Sequence, residues 1–287
     1  MKHCLNLTIG PARFRIGSDW ARPIDELAAL YRDYPRGEDD YADFTVRLEA
    51  NRPWRKIIRP SVHIRADYMI PDALPLSLDH GLLAAEMAMN LQMALGWSRH
   101  LLLHASAVEK DGRALIMTGE SGSGKSTLAA MLGERGWRLM GDEFTLIEPE
   151  TGDAFAFPRL VSLKNQSIAA MEAVVDAARF GPLMQDTPKG DIRHMMPRSD
   201  AIVKMQLPTK PALLLYPRYG HARAIRSVPL SENFIRLTQA STNYVAMGGT
   251  GFDALTHFVK SVPAVAVDYQ SGEEALSLVD QLWSELP

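Results

Sequence analysis

Residues Gly119-Glu120-Ser121-Gly122-Ser123-Gly124-Lys125-Ser126 follow the pattern G-x-x-x-x-G-K-[ST]. These residue types in this order suit the binding of a polyanion. Glycines let the backbone curl, so that successive N–H groups point inward at phosphate oxygens. A helix opening at Lys125 adds the positive end of its dipole. Lys125 would reach the β- and γ-phosphates, Ser126 would set its hydroxyl on Mg²⁺, and Thr127 would touch a further phosphate. The implied ligands are ATP and Mg²⁺. The flanks agree with this chemistry: "RALIMTG" reads as an apolar strand before the loop, and "TLAAMLGERG" as an amphipathic helix after it.

A pair of carboxylates, Asp142 and Glu143, follows soon after. A helix over 125–135 would run about 16 Å away from the phosphates at 1.5 Å per residue. A strand over 137–142 would return about 20 Å at 3.3 Å per residue. The two lengths nearly match, so Asp142 is expected beside the loop, with Gly133 and Gly136 turning the chain between them. A carboxylate there can hold Mg²⁺, directly or through water, or accept the proton of an attacking hydroxyl. The bland alternative is a surface Asp-Glu turn.

Other residues carry two readings each. His104 ends the apolar run "LLLH" and is either a satisfied core residue or part of a site. Lys164 is either a phosphate contact or an exposed strand end. Lys189, Arg193 and His194 fall in a segment without clear period, so they form either a cationic lid or a solvated loop. Arg52, Arg55, Lys56 and Arg59 lie close together in "NRPWRKIIRP"; they bind an acidic peptide or are a solvated connection.

The surrounding elements are expected to alternate. "RPIDELAALYRDY" has helical spacing, while "DFTVRLEA" and "SVHIRADY" alternate as strands. A buried helix is expected over 82–97, a strand over 101–109, a tight turn at Asp111-Gly112 and a strand over 113–118. Strands follow at 137–140 and 144–148. Residues 179–200, "RFGPLMQDTPKGDIRHMMPRSD", read as a loop. A buried strand at 212–216, helices near 231–240 and 250–260, and a strand at 264–269 complete the pattern. Ser271 reads as the N-cap of a final helix. The expected division is a small α+β domain over 1–95, with its boundary between 75 and 95, and a catalytic domain over 96–287.

Composition sets the limits. The chain has 287 residues, 46% of them hydrophobic, enough for a large core. A net charge of −3 gives no general attraction to nucleic acid or to an anionic membrane. The single cysteine, Cys4, excludes an internal disulfide, and the expected location is the cytoplasm. The N-terminus lacks the apolar core of a signal peptide, and the most apolar segment, 81–97, is too short and polar to span a bilayer.

The segment "HASAVEKDGRALIMTGESGSGKSTLAAMLGERGWRLMGDE" resembles the HPr kinase/phosphorylase superfamily, whose nucleotide domain is related to that of phosphoenolpyruvate carboxykinase. His104 stands at the family's spacing before the P-loop, and Asp142 and Glu143 stand at its two aspartates. The chain is more similar still to the branch called HPr kinase-related kinase A. That likeness extends to "LYRDYPRGEDDYADFTVRL", "SLKNQSI", Lys189–His194, "YPRY" and Ser241–Tyr244. The resemblance implies an α/β fold: a P-loop HPr kinase-like domain with a mixed sheet, behind a small N-terminal α+β domain. It implies an ATP-dependent kinase acting on a serine-type hydroxyl of a peptide or protein. Asp142, Lys125, His104 and Glu143 would be catalytic, Gly119 to Thr127 would bind nucleotide, and Ser126, Asp142 and Glu143 would hold metal. It brings in Arg218 and Asn243 as candidate contacts, a small PqqD-like peptide-binding protein as partner, and a homo-oligomer as assembly. Two departures matter. Ser162 stands where HPr kinases carry a metal-binding glutamate, and Lys164 where they carry an arginine, so HPr itself is a doubtful substrate. A nucleotide-gated peptide-binding module without transfer, a phosphorylase and a small-molecule kinase remain as alternatives.

Overall fold

The protein is described by a computed structural model covering residues 2–37 and 41–286; Glu38, Asp39 and Asp40 of the family-like stretch lie outside the described residues. The chain opens with a hairpin of β1 (His3–Ile9) and β2 (Ala12–Ser18). Helix α1 (Ala21–Leu30) then crosses over to β3 (Phe44–Ala50), which pairs in parallel with β2. Strands β4 (Ser61–Ala66) and β5 (Leu76–Ser77) complete a sheet in the order β1-β2-β3-β4-β5. Ile24, Leu27 and Leu30 sit on the buried side of α1, as their spacing predicts. Helix α2 (Gly81–Gly96) packs beside α1 and against β3 and β4. It is buried almost all round, which explains its continuous apolar run. No described helix is long and apolar enough to cross a membrane.

The strand predicted over 101–109 is two strands, β6 (Leu101–Leu103) and β7 (Ala105–Lys110). The break falls at His104, whose backbone N–H leaves the sheet and donates to Ala240 O at 2.8 Å. A tight turn with positive φ at Asp111 and Gly112 leads into β8 (Arg113–Thr118), then α3 (Lys125–Glu134) and β9 (Arg138–Gly141). Of the two glycines expected to turn the chain after α3, only Gly136 does so, with φ +90°; Gly133 stays helical. Strand β10 (Thr145–Ile147) joins β6 and β11 (Ala154–Phe155) in a small sheet.

Residues 179–200 are not a loop. Strand β12 (Val161–Lys164) and helix α4 (Gln166–Glu172) precede a hairpin of β13 (Phe180–Thr187) and β14 (Gly190–Met195), and the three strands form a sheet. Two register shifts in the hairpin bury Gly181, Met184 and Thr187, every third residue. That spacing erases the two-residue alternation by which a strand is read. A short helix α5 (Ser199–Val203) leads to β15 (Lys210–Tyr219), β16 (Ala224–Ser227), α6 (Leu230–Ala240), α7 (Gly248–Ser261), β17 (Ala264–Tyr269) and α8 (Gly272–Ser284). Ser271 Oγ caps α8 by accepting from Glu274 N at 3.2 Å.

The central sheet has the order β16-β17-β15-β8-β7-β9 and is mixed: β8, β15 and β17 are parallel, and β7 and β16 run against them. Leu115, Met117, Leu213, Leu215 and Val267 face α3 and α8 on one side. Ala114, Ile116, Leu214 and Tyr216 face α6 and α7 on the other. Burial on both faces accounts for runs such as "ALLLY", which show no polar alternation.

Candidate active site

The parallel strands β8, β15 and β17 end at one rim of the central sheet, and the glycine loop is at its middle. Residues Gly119–Gly124 connect β8 to α3, with Gly124 in the left-handed region at φ +96°. A Cβ on Gly124 would meet the Tyr269 hydroxyl at 2.4 Å, so only glycine fits there. Tyr219 N donates to Ser123 O at 3.3 Å and Tyr269 Oη to the same oxygen at 3.4 Å, tying the loop to the ends of β15 and β17. Ser123 Oγ is buried without a partner. The Lys125 ammonium donates to Gly119 O at 2.7 Å and Glu120 O at 2.8 Å, so it bends back over its own loop. Burial pushes its pKa down, and the charges of Asp142 and Glu143 oppose that shift.

Strand β9 ends beside β7, and there Asp142 is buried, only 3% exposed. Its carboxylate accepts from Ser106 Oγ at 3.0 Å and Ser162 N at 3.3 Å, and the Ser126 side chain lies close by. Burial raises the Asp142 pKa, as does the neighbouring Glu143, and Ser126, Ser106 and Ser162 offset only part of that. Glu143 goes the other way. Burial would raise it, but the hydrogen bond to His104 and the charges of Arg159, His104 and Lys164 outweigh burial and bring it down to about 2. Its Oε2 lies 3.3 Å from His104 Nε2.

Lys125, Ser126, Asp142, Glu143 and His104 are thus brought together, and Asp142 is not a surface turn. The other candidates divide. Lys164 is near enough for its charge to act on both Lys125 and Glu143. Lys189 is exposed in the turn between β13 and β14. Arg193 is ion-paired with Glu172, and His194 is buried opposite Ser162 with Nδ1 unpartnered. Arg193 and His194 belong to a paired sheet and Lys189 to its hairpin turn, so the segment is not the loop that the lid reading assumes. Asn243 is structural: it accepts from Leu102 N at 2.9 Å and donates to Trp97 O at 3.0 Å and His100 O at 2.8 Å. Arg218 forms a bidentate pair with Asp268. Arg52 and its neighbours lie in an exposed short turn.

Two contributors carried little sequence signal. Ser106 is one small residue in an apolar strand. Arg159 is a lone cation in "FPRL" that turns out to be buried, paired with Glu86 and close enough to act on Glu143.

Among the described residues no group of three or more His, Cys, Asp or Glu could hold a metal by itself. A serine hydroxyl beside a pair of carboxylates does fit Mg²⁺, which takes one or two protein oxygens and completes its shell with phosphate oxygens and water. No family model and no curated protein matches the chain. Among solved structures it is similar to the HPr(Ser) kinase/phosphatase from Coxiella burnetii, at 13% identity and a TM-score of 0.28, over 64% of this chain and 94% of that one.

Proposed function

We propose that the protein is an ATP- and Mg²⁺-dependent phosphotransferase acting on a serine-type hydroxyl of a peptide or small protein. The observation that carries this reading is the buried Asp142 carboxylate, set beside Ser126 at the head of α3, with its pKa raised by burial. A carboxylate with raised proton affinity is the better general base near neutral pH. The loop N–H groups and Lys125 hold the phosphates of ATP, with Lys125 exchanging its two carbonyl partners for phosphate oxygens. Ser126 and Glu143, the latter fixed on His104, would hold Mg²⁺, leaving the Asp142 carboxylate free for the incoming hydroxyl. Mg²⁺, when bound, supplies charge neutralisation at the phosphate oxygens. Asp142 takes the proton of the incoming hydroxyl, and Lys125 stabilises the charge that develops on the transferred group. The first 95 residues help to present the acceptor, which a PqqD-like protein would deliver.

The test is a pair of variants assayed with labelled ATP. Asp142→Asn should keep ATP affinity and lose transfer, while Lys125→Ala should weaken both. Normal turnover by Asp142→Asn would remove the base from the mechanism. Ser162, at the place of the HPr kinase glutamate, favours a second reading: a nucleotide-gated peptide-binding module. Mass spectrometry of the partner after incubation with ATP separates the two, since the module leaves it unmodified.

A further inference from the structure

The central sheet has one topological switch point. From β8 the chain passes through α3 to β9, on the β7 side; its later strands β15 and β17 are added on the opposite side. Open α/β sheets bind ligands in the crevice outside the carboxyl ends of the two strands at such a point. Here those ends are Thr118 and Tyr219, and a cleft of about 970 Å³ opens between them. Gly119–Ser123 form one wall of this cleft. Asp142, Glu143, Ser126 and Lys125 are not part of its lining; Glu143 meets it through His104, and Lys125 through Gly119 and Glu120. The glycine loop therefore lies between the acidic pair and the cleft.

We infer that the cleft holds the nucleoside half of the nucleotide, with Tyr219 as the platform for its base. This rests on reading Gly119–Ser126 as a phosphate cradle. A triphosphate in that cradle has two ends. The reacting end belongs with Asp142 on the β9 side, so the ribose and base point to the β15 side. The cleft suits them chemically. Tyr219 is half exposed, 6.0 Å from the Tyr269 ring, and its N–H bond to Ser123 O fixes its distance from the loop. Asp268, clamped by Arg218 Nε at 2.9 Å and Nη2 at 2.6 Å, offers a fixed carboxylate for the ribose hydroxyls. Arg236 lies over the Tyr216 ring at 4.7 Å and shares Glu232 with Arg226, so two guanidinium groups are held at the far wall. An aromatic face, an acceptor for hydroxyls and positioned donors are what a nucleoside requires. The hydroxyl acceptor then approaches from the β12 side, next to Asp142 and Lys164.

Calorimetric titration of the full chain with Mg²⁺-ATP and with Mg²⁺-tripolyphosphate separates the two halves of the ligand. Tyr219→Ala should weaken ATP roughly 5- to 150-fold, the range of base–aromatic stacking, and leave tripolyphosphate unchanged; Tyr219→Phe should restore ATP binding. Asp268→Asn should narrow the gap between ATP and 2′,3′-dideoxy-ATP. Unchanged ATP affinity in Tyr219→Ala overturns the assignment, and a raised acceptor KM in the same variant would give the cleft to the acceptor. An equal loss for both ligands also overturns it, because Tyr219 would then act through the loop. Failure of the cradle itself looks different: Lys125→Ala would leave tripolyphosphate affinity unaltered.

Discussion

Glu86→Ala should be among the most destabilising single changes in the molecule. Glu86 on α2 is 2% exposed and Arg159 is 4% exposed. Arg159 Nη2 donates to both the Glu86 side chain and Glu86 O, and Arg159 Nη1 donates to Asn90 Oδ1. The Tyr31 hydroxyl donates to Glu86 Oε1 at 2.9 Å. Removing the carboxylate strands a buried guanidinium, which costs about 3–5 kcal/mol. It also orphans the Tyr31 hydroxyl, at about 1–3 kcal/mol. The two losses share a site and will not add fully, so about 4–6 kcal/mol is expected. At about 2–4 °C per kcal/mol for a chain of this size, the Tm should fall by roughly 8–24 °C. Differential scanning calorimetry reads this directly, with urea unfolding as the second measure. The double variant Glu86→Leu with Arg159→Met should recover most of the loss, since a buried ion pair exchanges with apolar residues at little cost. A Glu86→Ala protein within about 1 kcal/mol of the parent, roughly 2–4 °C in Tm, would refute the reasoning. So would a double variant whose loss is the sum of the two single losses.

Four further outcomes follow from the site and its supports. The kcat/KM of transfer should rise with pH through an apparent pKa above the ordinary aspartate value, because Asp142 works unprotonated and its burial raises that value; a pH–rate profile with its limb near pH 4 would contradict the base assignment. Gly124→Ala should abolish ATP binding measured by calorimetry, given the left-handed backbone and the Tyr269 hydroxyl 2.4 Å from a new Cβ. His100 is held neutral, with burial and then Arg99 bringing its pKa to about 4. The unfolded chain takes up that proton near pH 6.5, so this contribution to stability is complete above that pH and shrinks as pH falls toward 4; thermal melts across that window should show it, and His100→Gln should flatten it. Ser271→Ala removes the α8 cap and should cost about 1 kcal/mol by urea unfolding, with activity unchanged.

How much of this was legible depended on whether a signal was local. The glycine loop announces itself because its chemistry needs contiguous residues. The return of Asp142 followed from two lengths that must match. Helices α1 and α2 and strands β15 and β17 are uniform enough in pattern to be read. The β13–β14 hairpin was hidden by its bulges, which bury every third residue and mimic a loop. His104 looked like an interior position of one strand over 101–109, yet it marks the point where the chain leaves one sheet for another, a feature set by Ala240 far along the sequence. Ser106 and Arg159 were missed for the same reason: each takes its role from a partner in a different element. Arg218 and Asn243 show the limit of a family pattern, which named both and could not tell that Asn243 ties backbone together.

The acidic pair is also where the layers of the molecule meet. Phe144, next in the chain after Glu143, packs in the same core as Phe14, Phe44 and α2 of the first sheet. Leu146, Phe157, Leu160, Met184 and Ile192 join that core. Asp142, one residue before Glu143, is bonded to Ser106 of the central sheet and Ser162 of the β12 sheet. Arg159 is fixed by Glu86 and Asn90 of α2, and its charge helps to keep Glu143 ionised. The first 95 residues therefore act on the site through packing and through field, before any acceptor is considered. Repacking α2 at Asn90, by Asn90→Leu, would free one donor of Arg159 and let the guanidinium shift relative to Glu143. Transfer should then slow while ATP affinity, set by the loop, holds. A drop in ATP affinity equal to the drop in transfer would mean that α2 supports the loop rather than the carboxylates.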